Sequence, residues 1–259
     1  VRIINLNTNG IRSAARKGLF EWLPKQQADV LCIQETKCQI GDVKDDELFF
    51  PKGWHVYFRD AQKKGYSGVA LYSRTKPDKV LTELGNEEFD GEGRYLEARF
   101  GNLSVVTLYV PSGSSGPERQ ASKDRFMEFF LPKLREWKAS GREYVICGDW
   151  NIAHKNIDIK NWKGNLKNSG FLPHERSWLD TVFSDDLGWV DGYRSLYPET
   201  EGEAYTWWSN RGAAYEKNVG WRIDYHIVTS GLKGKIKAAS IYKAEKFSDH
   251  APLILDYDI

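Results

Sequence analysis

The 259-residue chain is 41% hydrophobic and 28% charged, a composition ordinary for a soluble globular protein and sufficient for one large α/β domain or two small ones. Its 37 basic and 36 acidic residues nearly cancel, which neither indicates nor excludes a polyanionic partner, because binding depends on where charges cluster. Cys32, Cys38 and Cys147 are odd in number and form no C-x-x-C pair, which argues against a zinc or disulfide framework, and no apolar run approaches the ~18 residues of a membrane span.

In chain order, residues 1–6 form a strand-like run, so no signal peptide is expected. With free thiols, this predicts a cytoplasmic protein. Residues 17–27 follow as a helix, with Leu19, Phe20, Trp22 and Leu23 on one side. Short runs rich in β-branched and aromatic residues predict strands at 30–33, 69–72, 95–100 and 103–110. Residues 117–140 open on a proline and carry Phe126, Phe129, Phe130 and Leu134 at helical spacing, with Pro132 as a point of kinking or breakage. A strand at 144–147 precedes the segment 154–168, in which four lysines and four asparagines surround one tryptophan. A solvated loop is the commoner fate of such a run, and a phosphate-tracking surface is the functional one. A helix at 173–182, with Glu175 near its start, and strands at 223–229 and 252–257 complete the chain. No linker or repeat interrupts it. One α/β domain over residues 1–259 is expected, with adjacent strands packed face to face and helices outside.

Polar residues stand at the strand ends: Asn7, Glu35, Asp149 with Asn151, Asp224, and Asp249 with His250. Four carboxylates with amides and one histidine suit a hard cation such as magnesium or manganese, and phosphodiester hydrolysis. Singly, each has a blander explanation, since acidic residues beside strands commonly form turns or helix caps.

The local sequences change that weighing. The chain carries Asn7-Thr8-Asn9-Gly10-Ile11-Arg12, Gln34-Glu35-Thr36-Lys37, Gly65-Tyr66-Ser67-Gly68-Val69-Ala70 and Leu108-Tyr109-Val110-Pro111-Ser112-Gly113. It continues with Gly148-Asp149-Trp150-Asn151-Ile152-Ala153-His154, Gly220-Trp221-Arg222-Ile223-Asp224-Tyr225 and Ser248-Asp249-His250. In this order, over essentially the whole chain, they resemble the exonuclease III and abasic-site endonuclease branch of the endonuclease/exonuclease/phosphatase superfamily.

The resemblance implies a four-layer α/β sandwich, two packed mixed β-sheets flanked by helices, of the DNase I-like kind. It implies a Mg2+ site, with Mn2+ able to substitute, formed by Glu35, Asn7 and Asp249. Asp149 becomes either the general base or the group that orients the attacking water. Asn151 and Tyr109 contact the phosphate, and His250, oriented by Asp224, polarises it. Trp207, Trp221 and Ile223 become the walls of a pocket for an extruded sugar without a base, a nucleotide cheap to flip because it has lost stacking and pairing. Arg211, Asn165, Asn168, Lys163, Lys167, Lys63 and Lys64 become the DNA-facing set. The implied partner is double-stranded DNA with abasic sites or 3′ ends, bound by a monomer away from any membrane. The implied activities are cleavage 5′ to abasic sites, 3′-phosphodiesterase and 3′→5′ exonuclease. Ser112 stands where some relatives have an amide side chain, and Trp150 is bulkier than its counterpart in others.

Two alternatives carry the same fold. One is a regulator like the catabolite repression control protein (Crc) of some bacteria, which resembles segments 108–113, 161–162 and 247–257 and acts on RNA with an RNA chaperone. Such regulators have lost catalytic residues, whereas Glu35, Asp149, Asn151, Asp224, Asp249 and His250 are all present here. The other is a lipid or small-molecule phosphatase, for which substrate binding depends little on salt.

Overall fold

The computed structural model describes residues 1–259. Two six-stranded mixed sheets stack face to face. The first runs Ile236–Ile241, Leu253–Tyr257, Arg2–Asn7, Val30–Gln34, Val69–Ser73, His55–Arg59; the second runs Lys79–Leu81, Tyr95–Phe100, Leu103–Tyr109, Glu143–Asp149, Asp224–Val228, Val190–Asp191. Each sheet has one parallel pair near its centre, Arg2–Asn7 with Val30–Gln34 and Leu103–Tyr109 with Glu143–Asp149, and all other pairings are antiparallel.

The layers follow from the two-residue period of a strand. Ile3, Val30, Cys32, Val69 and Leu71 of the first sheet meet Val105, Val145, Cys147 and Val228 of the second. Their neighbours Ile4, Leu6, Leu31, Ile33 and Ala70 face outward onto Ala14, Leu19 and Trp22 of the helices Ile11–Arg16 and Leu19–Trp22. Val106, Leu108, Ile146 and Ile227 pack on the helices Pro117–Ala139 and Pro173–Val182 through Phe126, Phe130, Leu134 and Leu179. Because both faces are covered, central strands such as Val30–Gln34 are buried at every position and read as unbroken apolar runs. The expected four-layer sandwich is what forms, and Trp150 packs fully buried among these helices.

The helix expected at 17–27 is not continuous. Gly18, at φ 97°, separates Ile11–Arg16 from Leu19–Trp22, and the chain then tightens into a 3₁₀ turn, Leu23–Gln26, at Pro24, which has no N–H to donate. Pro132, by contrast, does not end the helix Pro117–Ala139. Phe126, Phe130, Leu134 and Trp137 are buried on either side of it, and their packing outweighs the lost hydrogen bond. The strands His55–Arg59, Lys79–Leu81 and Ile236–Ile241 were not predicted; each lies at a sheet edge, where half-exposure dilutes the apolar pattern. All three cysteines are free and buried. No helix is long and apolar enough to cross a membrane.

Candidate active site

The topology brings the polar strand ends to one rim. Asn7 and Glu35 end the parallel pair of the first sheet, and Tyr109 and Asp149 end that of the second, facing each other in register. Ligand sites of α/β sheets form at such carboxyl ends. Asp224 starts the antiparallel strand beside Asp149 and is its register partner, and Asp249 and His250 lead into the antiparallel neighbour of Arg2–Asn7. Ser248 fastens that turn, its hydroxyl donating to the Asn7 carbonyl at 2.6 Å and accepting from the His250 N–H at 3.0 Å. Glu35 and Asn151 hold left-handed backbones, φ 51° and 52°, uncommon for residues with side chains and typical of functional turns.

The side chains form one hydrogen-bonded cluster. Asn7 Nδ2 donates to Glu35 Oε1 and to Asp149 Oδ2, both at 2.9 Å. Asp149 Oδ1 accepts from the Asn151 backbone N–H at 2.9 Å. His250 Nδ1 lies 2.8 Å from Asp224 Oδ2, and its Nε2 lies 3.7 Å from Asp149 Oδ2, too far for a hydrogen bond. Asn151 commits one amide N–H to the Val110 carbonyl at 2.7 Å and keeps its second.

Burial pushes the Asp149 carboxyl up, against the pull of His250, and the Asp224 and Glu35 carboxylates push it further. Burial alone lowers the His250 pKa, but the Asp224 and Asp149 carboxylates outweigh it and the net shift is upward, to about 10. Burial also raises the Tyr109 phenol, and the Glu35 and Asp149 charges add to it, so it stays a hydroxyl donor.

Glu35, Asp149 and His250 offer ligand atoms within 4.8 Å of one another. His250 commits Nδ1 to Asp224, and a hard divalent cation prefers oxygen, so the cation donors are the carboxylates. Asp249 Oδ1 is buried with no hydrogen-bond partner. Asp224 Oδ1 is likewise buried and unpaired, and with Glu35 and Asp149 converging the hard-oxygen set fits a divalent cation, although Asp249 stands outside the group whose ligand atoms lie within 4.8 Å.

A cleft of about 560 Å³ opens onto this cluster, and Trp207, Trp221 and Ile223 line it together with Glu35, Tyr109, Asp149, Asn151, Asp249 and His250. The description Endonuclease/Exonuclease/phosphatase family matches residues 4–250. The chain belongs to that family. Its relatives there include an exodeoxyribonuclease of Bacillus subtilis (strain 168), 40% identical over 100% of both chains. A DNA-(apurinic or apyrimidinic site) endonuclease of Dictyostelium discoideum is 36% identical over 100% of this chain and 71% of the relative. The solved structure of an AP endonuclease from Archaeoglobus fulgidus superimposes with a TM-score of 0.89 at 28% identity, covering 100% of both chains. Within the family the chain is accordingly a nuclease, a metal-dependent hydrolase.

Several expected family positions lie elsewhere than in the cleft. Lys167, Asn168 and Ser112 line it. Asn165 faces its own loop, its amide donating to the Asn161 carbonyl at 3.0 Å and accepting from Asn168 at 2.8 Å. Lys163 lies over the Trp162 ring in a separate groove, Lys63 lies over Tyr66, and Lys64 and Arg211 are exposed and do not line the cleft. Asn7 directs its N–H groups at the two carboxylates, while its carbonyl oxygen accepts from the Asn9 N–H at 2.9 Å, so it orients Glu35 and Asp149.

Sequence reasoning missed Lys123 and Lys37. Lys123, fully buried, donates to the Asn151 carbonyl at 2.6 Å and pairs with buried Glu175 at 2.5 Å, while Glu175 also accepts from the Gly170 and Leu172 N–H groups. Lys37 Nζ lies 3.4 Å from Glu35 Oε2. Nothing in the local pattern separates either lysine from the surface ones. Arg222 was quoted only as part of a motif. It is buried against Asp158 and Asp191 at 2.7 and 2.6 Å, behind the Trp221 wall.

Proposed function

We propose that this nuclease is a DNA repair enzyme that hydrolyses the phosphodiester 5′ to abasic sites, with 3′-phosphodiesterase and 3′→5′ exonuclease activity at the same centre. The observation that carries the reading is the single cleft shared by the acidic cluster and the slot walled by Trp207, Trp221 and Ile223. Relatives named as exodeoxyribonuclease and as apurinic or apyrimidinic site endonuclease support it. The proposed partner is double-stranded DNA, bound by a monomer in the cytoplasm.

Glu35 and Asp249 would hold a Mg2+ ion, for which Mn2+ can substitute, with Asn7 fixing the Glu35 rotamer. Bound there, the cation neutralises phosphate charge and polarises its oxygens. The protein's own groups do the rest. Asp149 is held on one oxygen by Asn7 and on the other by the Asn151 backbone, which aims it to take a proton from water. The His250 Nε2–H has no protein acceptor and donates to a phosphate oxygen, while buried Asp224 keeps the ring charged. The free Asn151 N–H and the Tyr109 hydroxyl complete a donor set around the charge that grows in the transition state. The slot suits a sugar without a base, because such a nucleotide has lost its stacking and pairing and flips out cheaply.

The test compares an abasic duplex and an intact duplex, each with magnesium or with chelator, on one gel. Cleavage of the abasic strand in magnesium only is expected. Equal internal cutting of both duplexes, as distinct from shortening from the 3′ ends, or cutting in chelator, overturns the reading. Binding should weaken steeply as salt rises, as phosphate contacts require, and a flat salt dependence would favour a lipid or small-molecule phosphatase. The intact Asp224–His250 and Asn7–Glu35–Asp149 hydrogen bonds favour catalysis over a purely regulatory, RNA-directed role. Trp221→Ala should lower cleavage of the abasic duplex about tenfold or more while leaving cation binding unchanged, since Trp221 touches the slot and no carboxylate of the cluster. Calorimetry with Mg2+ alongside cleavage kinetics checks this.

A further inference from the structure

Trp207 differs from the other pocket walls in having a second contact. Its indole Nε1–H donates to Asp249 Oδ2 at 3.1 Å, and the other oxygen of that carboxylate, Oδ1, is buried without a partner. The ring itself stands edge-on to Trp221, 5.9 Å between centroids at 83°, and lines the slot. The backbone repeats the link. Trp207 pairs with His250 across an antiparallel bridge, the Trp208 N–H donates to the Asp249 carbonyl at 3.2 Å, and the Ala251 N–H donates to the Thr206 carbonyl at 2.8 Å. A phenylalanine would wall the slot equally well. Only an indole also reaches the carboxylate.

We propose that Trp207 is a positioning residue that ties the sugar slot to the cation site, its ring packing against the bound sugar and its N–H fixing Asp249 so that Oδ1 faces the cation. The idea rests on the reading of the cleft given above. An N–H to an ionised carboxylate is a charge-assisted bond, and fixing the rotamer before the cation arrives removes part of the ordering cost of binding. By reciprocity, a sugar that restrains the ring also steadies the carboxylate, so slot occupancy and cation affinity reinforce each other. Trp221, with no such bond, contributes to the slot alone.

The experiment compares Trp207→Phe and Trp221→Phe in the full chain, with thermal melting as the control for folding. Mn2+ binding without DNA is read from the electron paramagnetic resonance signal of the free ion. Trp207→Phe should weaken Mn2+ binding roughly 3–10-fold, the range a single hydrogen bond commands, and Trp221→Phe should leave it within about twofold. The Mg2+ concentration for half-maximal cleavage should rise in parallel for Trp207→Phe. Wild-type Mn2+ affinity in Trp207→Phe, or an equal loss in both variants, overturns the proposal and leaves the nuclease reading standing. Failure of the wild-type chain to bind Mn2+ overturns both.

Discussion

Asp149→Asn and His250→Ala should each lower turnover on an abasic duplex by at least ~100-fold, a barrier rise of about 2.7 kcal/mol or more. The two losses have different origins. Asp149→Asn keeps the size but removes the base held between Asn7 and the Asn151 backbone, and its single amide oxygen can accept from only one of those two donors. His250→Ala removes the cationic donor and leaves the buried Asp224 carboxylate without its imidazole partner. A fall in the melting temperature should therefore accompany His250→Ala and be small for Asp149→Asn. Steady-state kinetics with thermal melts separates these effects. Near-normal turnover in either variant removes the corresponding residue from the mechanism.

The largest stability loss should come from a residue outside the cleft. Asp158 is buried and accepts on one oxygen from both Arg222 and Arg194, at 2.7 and 2.5 Å, and on the other from the Lys155 N–H at 2.8 Å. Asp158→Ala leaves the buried Arg222 guanidinium with Asp191 alone and takes the carboxylate from Arg194, and should cost up to roughly 3–5 kcal/mol in urea unfolding. A loss under about 1 kcal/mol would mean that water replaces the pair. Burial alone would raise the Asp158 carboxyl, but Arg222 and Arg194 outweigh it and hold the pKa well below the usual carboxylate range. Its contribution is therefore fully present above the ordinary aspartate pKa of about 3.9, and is lost as pH falls from there through the depressed folded value. Wild type should lose its advantage over Asp158→Ala only in strong acid.

The sequence made the rim of the sandwich readable because each parallel strand ends in a polar residue directly after an apolar run, as at Asn7, Glu35 and Asp149. The antiparallel residues Asp224 and Asp249 were readable only through their motifs, since a carboxylate opening a strand looks like any turn former. What stayed hidden depends on tertiary placement. Lys123 matters because the helix Pro117–Ala139 lies across the Asn151 carbonyl, and helical spacing alone says nothing about which lysine meets it. The lysines of segment 154–168 look alike in sequence, yet Lys167 lines the cleft and Lys163 covers Trp162. The edge strand His55–Arg59 stayed hidden for the opposite reason: its one solvent-facing edge weakens the pattern that marks a central strand.

The order of strands has a consequence for how the enzyme comes into being. Arg2 sits opposite Asp256, joined to it by two guanidinium–carboxylate bonds, and the N-terminal amine binds the Tyr257 carbonyl. The strand Arg2–Asn7 therefore completes its pairing only when Leu253–Tyr257 returns to it, 254 residues away at Arg2 and Asp256, and the same return delivers Asp249 and His250. Contacts so distant along the sequence make slow closure the expected rate-limiting event in refolding. Recovery of activity after dilution from denaturant should trail the return of helical signal.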